Sequence, residues 1–423
     1  MFYSAKRKEP VSHQVIIIGG GVIGLSCALS LQMQGSQCLV LESEADPRGA
    51  SWGNAGHIAI EQAEPIASPA TIRSFPKRLF CRGGAVALPP GGMIYWLPFA
   101  WRLWRAARPR RFAAGKIALK SLLAAAMPAW RRLVAAAGAP DLLREDGHFV
   151  VWETPATAAA GRAAWAAADT GEARFRDATP QEIAALSGVM ADPPAGAIRF
   201  QGTGRIADPL RLAEALRAAF VAAGGTMRQA RVADLPLLDG AALVRLESGV
   251  VLTADLVVVA AGIASGGLLA PLGHTVPMIA ERGYHIQAAE SDWPLDLPPI
   301  VFEDRSMIVT RFESGLRAAS FVEFTRADAR ADPRKWARLR AHVAALGLSL
   351  DKAKDWIGSR PTLPDYLPAI GRSDRASNLL YAFGHNHLGL TLAAVTGEMV
   401  AGLAAGTPAP PALSLDRFQR NRA

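Results

Sequence analysis

The sequence predicts an α/β fold with two connected domains. Two apolar, β-branched runs, residues 15–18 and 254–262, lead into glycine or other small residues, which is typical of buried parallel strands. A helix of small apolar residues is predicted from about 390 to 403. At 423 residues the chain is too long for one small core, so a second domain is expected beside the parallel sheet.

Composition indicates a globular protein and says little about partners. Half of the residues are apolar and a fifth are charged, which is not the balance of a disordered chain. The formal net charge of +9 would suit nucleic acid or an anionic membrane, but the sequence carries no zinc-finger, RNP or basic-zipper pattern. We therefore expect a solvated basic surface and no nucleic-acid partner. The three cysteines predict neither a disulfide framework nor a metal cluster, which fits a reducing, cytoplasmic setting.

No segment is expected to cross a membrane. Residues 14–41 contain no charged side chain, but glycines and polar residues interrupt the run. A strand, a turn, a helix and a second strand explain it better than a spanning helix does. No other run is judged long and apolar enough to span a bilayer.

The first fifty residues predict a complete βαβ unit. A strand at 15–18 is followed by a glycine turn, a helix from about 22 to 34 and a second strand at 38–41. Gly35 stands where a helix C-cap is expected. Glu42 lies at the end of the second strand. The whole unit has the spacing of a dinucleotide-binding strand–turn–helix.

Each glycine of the pattern has a physical task. Gly19 permits the tight turn, Gly21 lets the backbone approach a pyrophosphate, and Gly24 lets the helix pack closely on the strand. The helix N-terminus offers free N–H groups and a partial positive charge to phosphate. Glu42 can accept hydrogen bonds from ribose hydroxyls. The predicted dinucleotide contacts here are Gly19, Gly21, Val22, Ile23, Gly24, Glu42 and Ser43.

Three later segments suit a long ligand. Residues 48–57 form a loop rich in glycine and small polar residues, whose backbone N–H groups can face a ligand. The strand at 254–262 ends in small residues that permit backbone approach, and the turn 384–389 leads into the C-terminal helix. N–H groups at the start of that helix could stabilise negative charge on a bound ring. The predicted contacts in these segments are Ser51, Asn54, Ala55, Gly56, His57, Ala261, Gly262, Leu388, Gly389, Leu390 and Thr391.

Six motifs in order resemble the D-amino-acid dehydrogenase group within the D-amino-acid oxidase and glycine oxidase superfamily. They are IIIGGGVIG with its Glu42, ASWGNAGHI, DLVVVAAG, ERGYH, GSRPTLPDYLPAIG and FGHNHLGLTLAAVTG. The resemblance covers nearly the whole chain, and the last two motifs look especially like the bacterial branch that includes D-hydroxyproline dehydrogenases. It implies FAD as the cofactor. Binding is expected to be non-covalent, because the C-terminal region lacks the cysteine that covalent relatives use.

The resemblance also implies a domain organisation. A Rossmann-type, glutathione-reductase-like FAD domain would be assembled from residues 1–85, 195–275 and 355–423. A smaller α+β substrate domain on a mixed or antiparallel sheet would take residues 86–194 and 276–354. The backbone of Val232 is expected to meet the adenine.

The implied reaction is oxidation of a D-amino acid by hydride transfer from Cα to flavin N5, giving an imino acid or, after hydrolysis, a keto acid. D-Proline or cis-4-hydroxy-D-proline is the substrate favoured by the resemblance. Orientation and electrostatics are the protein's main contributions to such a reaction, so the lack of a triad does not argue against an enzyme. A glycine- or sarcosine-type oxidase using oxygen, and a non-catalytic electron-relay subunit, remain alternatives. The electron acceptor is left open between a quinone, an electron-transfer protein and oxygen.

Four residues are candidates for the substrate site. Arg360 matches the family's carboxylate-binding arginine, because a guanidinium can hold a carboxylate through two parallel hydrogen bonds; its alternative is a structural ion pair, for example with Asp365. Tyr284 matches a tyrosine near the substrate, or is a half-buried sheet aromatic. His57 lines the pocket or is a structural loop histidine. Glu323 is a candidate to hydrogen-bond a polar substituent or a ring nitrogen of the substrate, although a solvated strand glutamate is preferred.

Metal binding is not expected. His385 and His387 form an H-x-H pair, but no Cys, Asp or Glu stands beside them in the sequence. A loop that wraps the flavin ring is the better interpretation of this pair.

The aromatic and basic segment 93–108 has two interpretations. An interfacial helix would place its tryptophans at the lipid headgroups and its arginines on anionic lipid. Phe99 and Leu103, however, point away from the face that Leu97 and Trp101 share, so the apolar stripe is not clean. We therefore prefer a partly buried helix of the substrate domain. Peripheral attachment at the inner face of the cytoplasmic membrane stays open as the alternative. The alanine-rich stretch 113–168 predicts further helices.

Overall fold

The computed structural model describes residues 13–45, 49–348, 350 and 352–419. Residue 48, at the start of the predicted glycine-rich loop, lies outside these residues, as do the outermost parts of the predicted 1–85 and 355–423 stretches. The described helices are α1 Val22–Met33, α2 Pro69–Arg78, α3 Met93–Ala106, α4 Pro109–Ala136, α5 Pro155–Ala167, α6 Pro180–Ser187, α7 Pro209–Ala222, α8 Ser265–Leu269, α9 Pro333–Ala345 and α10 Gly389–Ala404.

The described strands, in chain order, are β1 His13–Ile18, β2 Cys38–Glu42, β3 His57–Ile58, β4 Val86–Ala87, β5 Leu143–Arg144, β6 His148–Trp152, β7 Arg174–Asp177, β8 Gly196–Gln201, β9 Gly204–Ile206, β10 Thr226–Gln229, β11 Val232–Asp234, β12 Leu237–Leu238, β13 Ala241–Ala242, β14 Val244–Leu246, β15 Val251–Leu252, β16 Ala254–Val259, β17 Ile279–Ala288, β18 Ile300–Phe302, β19 Met307–Phe312, β20 Gly315–Thr325, β21 Lys354–Thr362, β22 Ala369–Arg372 and β23 Leu379–Phe383.

One sheet is built as the N-terminal βαβ pattern predicts. Its strand order is β10-β2-β1-β16-β23-β22, parallel throughout except for β22, which runs antiparallel to β23. Strand β1 is central and pairs with β2 on one side and β16 on the other. Its apolar run is buried on both faces, as expected for a parallel strand between two layers. The strands come from all three stretches that were expected to share one domain.

The two faces of this sheet are covered differently. Helices α1, α7 and α10 contribute buried side chains to one apolar core, which continues into α4 through Leu119, Leu123 and Trp130. The opposite face packs against the small antiparallel sheet β11-β14-β15. Helix α10 spans one residue more at each end than the predicted 390–403. The α/β fold class is therefore confirmed.

A second, larger sheet is mixed. Its order is β21-β17-β20-β19-β18-β6-β8-β7, with β4 beside β20. Most neighbours are antiparallel, whereas β18–β6 and β20–β4 are parallel. This agrees with the mixed or antiparallel sheet expected for the second domain. Strand β8 belongs to this sheet although residues 195–275 were assigned to the FAD domain; the domain limits themselves stay predictions.

The stretch 113–168 contains α5 and most of α4, as expected, but β5 and β6 lie between the two helices, because Phe149–Trp152 is a buried strand of the large sheet. The expectation that no other run is long and apolar enough to span a bilayer is wrong. Two helical segments, Pro109–Ala136 and Asn386–Ala404, are long and apolar enough to cross a membrane by length and composition. A third and two thirds of their most apolar windows, respectively, are buried inside the protein.

Candidate active site and cofactor cavity

A cavity of about 1210 Å³ opens at the carboxyl ends of β1, β2 and β16, where ligands bind in open parallel sheets. We call it the dinucleotide cavity. Its wall contains most of the predicted contacts, drawn from widely separated segments of the chain. These are Gly19, Gly21, Val22, Ile23, Glu42, Ser43, Ser51, Asn54, Val232, Ala261, Gly262, Gly389, Leu390 and Arg360.

The β1–α1 turn leaves no room for side chains. Gly19 has φ +107°, and a Cβ there would lie 2.5 Å from the carbonyl oxygen of Ala260. A Cβ on Gly24 would lie 1.8 Å from the carbonyl oxygen of Gly19. Helix α1 therefore packs directly on the turn, and its first residues line the cavity. Gly21 has no side chain to cap α1, although the N–H of Val22 donates to the Ser51 hydroxyl at 3.1 Å. The N-terminal partial positive charge of α1 faces the cavity, where it would favour a ligand phosphate.

Glu42 is held where a ribose would lie. Its Oε2 accepts a hydrogen bond of 2.6 Å from the N–H of Gly20. Its Oε1 accepts from the Ser43 hydroxyl at 3.2 Å and the Glu44 N–H at 3.1 Å. A carboxylate has about four acceptor sites, so it can also accept from ligand hydroxyls. The predicted role of Glu42 fits this geometry.

The loop 49–56 is fixed from behind by the large sheet, which sequence reasoning missed. Arg317 donates hydrogen bonds to the carbonyls of Trp52, at 3.1 Å, and Asn54. The Thr310 hydroxyl donates to the carbonyl of Ala55 at 2.8 Å. Burial lowers the pKa of Arg317 to about 10, which leaves it charged at neutral pH. In the sequence, the role of Arg317 is indicated only by the presence of a charged residue inside the apolar strand GLRAASF.

Arg360 lies across the backbone of Gly283. A Cβ on Gly283 would come within 2.4 Å of the Arg360 guanidinium. Arg360 pairs with buried Glu281, whose Oε1 is 3.5 Å from Nη1 and whose Oε2 accepts from Thr362 and Tyr366. The suggested Arg360–Asp365 pair is wrong.

Asp365 instead forms an ion pair with Arg417, at 2.7 Å. Arg360 donates no hydrogen bond to another described residue, and 27% of its side chain stays exposed. The guanidinium therefore keeps donors free toward the cavity.

Tyr284 and Glu323 do not line the cavity; they belong to a buried cluster beside it. The Tyr284 hydroxyl donates to Glu323 at 2.6 Å, and Arg282 and Lys335 donate to the same carboxylate. Burial raises the pKa of Glu323, but these hydrogen bonds and the Lys335 charge outweigh it and leave the pKa below its usual value. Burial, reinforced by the Glu323 hydrogen bond, raises the pKa of Tyr284.

This cluster corrects two interpretations. Glu323 is 3% exposed, so the preferred solvated glutamate is wrong, and Tyr284 is 1% exposed rather than half-buried. Arg282 also donates to the carbonyls of Ala329 and Arg330. Because Ala329 lines the cavity, the cluster positions one side of its wall.

His57 lies behind the loop, in a group that the sequence did not predict. Its Nε2 and Glu61 Oε1 are 3.0 Å apart, and its ring contacts that of His148 with centroids 4.3 Å apart. Burial raises the pKa of Glu61, but the charges of His57 and His148 outweigh it and lower the value to about 2. These residue types are also metal ligands, so the expectation of no metal stays a prediction.

His385 and His387 both line the cavity, and each is bound to a different neighbour. His385 Nε2 is 3.0 Å from the Thr396 hydroxyl, and His387 Nε2 is 2.6 Å from Gln62 Oε1. Burial lowers the pKa of both to about 3, so both are neutral at physiological pH. The buried Nδ1 of His387 has no partner among the described residues. Since Nε2 must donate to Gln62, this Nδ1 is a free acceptor.

The remaining predicted contacts support the wall without lining it. The N–H of Leu388 is already donated to His385 and Asn386, so it is not available to a ligand as predicted. The Thr391 hydroxyl accepts from the N–H of Ala59 at 2.9 Å. Gly24, Ala55, Gly56 and His57 likewise lie behind the residues that form the wall.

The chain is similar over nearly its whole length to known proteins. The family profile described as FAD dependent oxidoreductase (DAO) matches residues 14–403. A D-amino-acid oxidase from Bradyrhizobium diazoefficiens is 29% identical over 440 residues, which cover 98% of this chain and 99% of that protein. The solved glycine oxidase from Geobacillus kaustophilus has a TM-score of 0.71 at 22% identity, covering 97% and 100% of the two chains. L-Proline dehydrogenase from P. horikoshii has a TM-score of 0.70 at 15% identity, covering 97% and 98%. At these identities the likeness to solved structures shows the fold.

Proposed function

The chain belongs to the DAO family of FAD-dependent oxidoreductases, and we propose that it oxidises a D-amino acid at the carbon that bears the amine. FAD is the cofactor of this family, and the residues of the dinucleotide cavity fit it. The N-terminus of α1, which lines the cavity, suits a pyrophosphate, and Glu42 suits a ribose. None of the three cysteines lines the cavity, so non-covalent binding is expected.

One observation carries the choice of an amino acid as substrate. The guanidinium groups of three arginines line the cavity and donate to no other described residue; these are Arg217, Arg231 and Arg360. Of these three, Arg360 is the one held in place by buried Glu281 and by the backbone of Gly283. Arg282, the neighbouring cation of the wall, is already bound to Glu323 and two carbonyls. A planar, oriented guanidinium with free donors is suited to a carboxylate. We infer that Arg360 binds the substrate carboxylate.

The other wall residues favour an apolar substrate with one amine. Ala327, Ala329 and Ala331 offer a small apolar surface on the same wall as Arg360. The unpartnered Nδ1 of His387 is itself buried, so we propose that a small movement of the ring lets it accept a hydrogen bond from the substrate amine. With a pKa of about 3, His387 holds the amine by accepting this bond rather than by storing its proton. A cyclic substrate such as D-proline or cis-4-hydroxy-D-proline suits these alanines.

The chemistry is divided between cofactor and protein. When bound, FAD supplies the oxidant that takes a hydride from the substrate Cα. Arg360 and His387 fix the carboxylate and the amine, and two fixed substituents determine which face of Cα is presented. Glu281 keeps the guanidinium aligned. We propose a dehydrogenase that passes electrons to an acceptor other than oxygen, which turnover with oxygen or with a dye acceptor tests directly.

The carboxylate assignment is tested by comparing D-proline with pyrrolidine, which lacks the carboxylate. Charge-assisted hydrogen bonds contribute about 1.5–3 kcal/mol, so Arg360→Ala should lower kcat/KM for D-proline by about 10- to 150-fold. Turnover of pyrrolidine should change little. Arg340→Ala is the matched control, because Arg340 is an exposed arginine paired with Asp355 of the same strand, β21. Equal losses for both substrates, or no loss, would contradict the assignment.

A further inference from the structure

Helix α3 presents an apolar face to solvent. Ile94, Leu97, Trp101 and Trp104 are 74%, 54%, 59% and 43% exposed, and the rings of Trp101 and Trp104 are stacked. Their spacing of three and four residues places them on one side of the helix. Phe99 is the one described residue of α3 that is buried. The preferred interpretation of a partly buried helix therefore fits one side of α3, whereas the other side is an exposed apolar face.

The opposite side of α3 is anchored to the large sheet. Phe99 packs against Ile279 and Phe324, with Trp96 and Leu103 beside them. Trp96 also donates its indole N–H to the carbonyl of Pro89. The helix is thus fixed in orientation, and its exposed face is a defined surface of the folded protein. An apolar patch of this kind on a soluble protein marks an interaction site.

All charged residues in the stretch of chain around this face are basic. No Asp or Glu occurs between Glu64 and Asp141. Some cations of this stretch are paired with acids from elsewhere, as in Lys116–Glu64 and Arg132–Glu398. The arginines nearest the apolar face form no ion pair or hydrogen bond with any described residue; they are Arg102, Arg105, Arg110 and Arg111.

A second cavity, of about 650 Å³, lies beside these arginines. Arg102, Arg105, Arg111 and Phe112 contribute to its wall together with the Asp365–Arg417 pair. Unpaired guanidinium groups next to a cavity bind phosphate well, since their donors match its oxygens. An aromatic face rimmed by such groups is the composition of an interfacial membrane helix.

We propose that the exposed face of α3 docks the enzyme on an anionic lipid bilayer. The tryptophans lie at the depth of the headgroups, and Arg102, Arg105 and Arg111 bind lipid phosphate. Helix α4 does not leave the protein, because one of its sides is packed in the core. Nucleic acid would make no use of Ile94 and Leu97. A second copy docked by a two-fold axis would bring these arginines against each other, which costs energy.

The test is sedimentation of the flavin-loaded protein with lipid vesicles. Vesicles of phosphatidylcholine with phosphatidylglycerol should bind the protein, and vesicles of phosphatidylcholine alone should bind it at least tenfold more weakly. Raising the salt should weaken binding, and tryptophan emission should shift to the blue on binding. Binding to both vesicles alike, or to neither, would overturn the proposal.

Two double variants test whether α3 is the part of the protein that binds the vesicles. Arg102→Gln with Arg105→Gln should weaken vesicle binding by about 30-fold, because each arginine near an anionic surface contributes about a factor of five. Trp101→Ser with Trp104→Ser should abolish the emission shift while the flavin spectrum stays normal. Leu237→Ser with Leu238→Ser is the control, since both leucines are exposed on a different surface. Full binding by the α3 variants, DNA binding without vesicle binding, or a dimer that only the α3 variants dissociate would each refute the proposal.

Discussion

His387 combines a neutral ring that lines the cavity with a buried Nδ1 that has no partner among the described residues. We expect His387→Ala to lower kcat/KM about 10- to 100-fold, because the substrate amine loses one hydrogen bond and part of its orientation. Flavin content should stay normal. His342→Ala is the matched control, because His342 also has an unpartnered Nδ1 but does not line the cavity. Steady-state kinetics with D-proline measure the effect, and unchanged kinetics would exclude His387 from substrate binding.

The charge of Glu61 contributes to the stability of the folded protein. Its pKa is lowered from 4.5 to about 2, so the ionised form stabilises the folded protein above pH 4.5 and this contribution is lost as the pH falls toward 2. A shift of this size corresponds to about 3 kcal/mol. Glu61→Gln should therefore lower the Tm at pH 7 by several degrees, and the difference from the unchanged protein should shrink below pH 4.5.

Thermal unfolding at a series of pH values measures this difference. Glu64→Gln provides the control, since Glu64 is an exposed surface glutamate paired with Lys116. A difference in Tm that stays constant from pH 7 to pH 4 would show that Glu61 acts through packing and not through its charge.

Among the secondary-structure elements, we expect the close contact of α1 with the β1–α1 turn to be required for cofactor binding. A Cβ on Gly24 would lie 1.8 Å from the carbonyl oxygen of Gly19, so Gly24→Ala must push the helix away from the turn. Flavin content, read from the ratio of visible to ultraviolet absorbance, should fall strongly. Gly402→Ala in α10 is the control, because its Cβ would meet nothing closer than 3.5 Å. A Gly24→Ala protein that retains its full flavin would contradict this geometry.

The elements show which features a sequence reveals. The β1–α1–β2 unit and its part of the dinucleotide cavity were predictable, because the glycine turn, the two strands, the helix and Glu42 are local signals within thirty residues. Arg317 and Glu281 were missed because their partners lie on distant segments that only the folded sheet brings together. Glu323 was misjudged for the same reason, since Arg282 and Lys335 make its burial possible. The exposure of α3 depends on which face meets the sheet, which periodicity alone did not settle.

In the whole molecule, the two sheets contribute different parts of the dinucleotide cavity. The parallel sheet places the α1 turn, Glu42 and the end of β16 on one side of the dinucleotide cavity, and the large sheet supplies Arg360 and the buried support of loop 49–56. Helix α3 is anchored on β17 and β20 of the same large sheet, at Ile279 and Phe324. Arg360 lies on β21, next to β17 in the same sheet, so the proposed membrane surface and the proposed carboxylate site are built on neighbouring strands. Docking would hold this sheet next to the bilayer.

We propose that the bound flavin is reduced by an amino acid held through its carboxylate. The most direct measurement is the absorption spectrum of the purified protein mixed, without oxygen, with D-proline, cis-4-hydroxy-D-proline, D-alanine, glycine, sarcosine and the L-isomers of the chiral compounds. We expect rapid bleaching of the flavin by a D-isomer, slow or no bleaching by its L-isomer, and loss of bleaching in Arg360→Ala. A flavin that is fully bound but that none of these compounds bleaches would exclude amino-acid oxidation as the function of this protein.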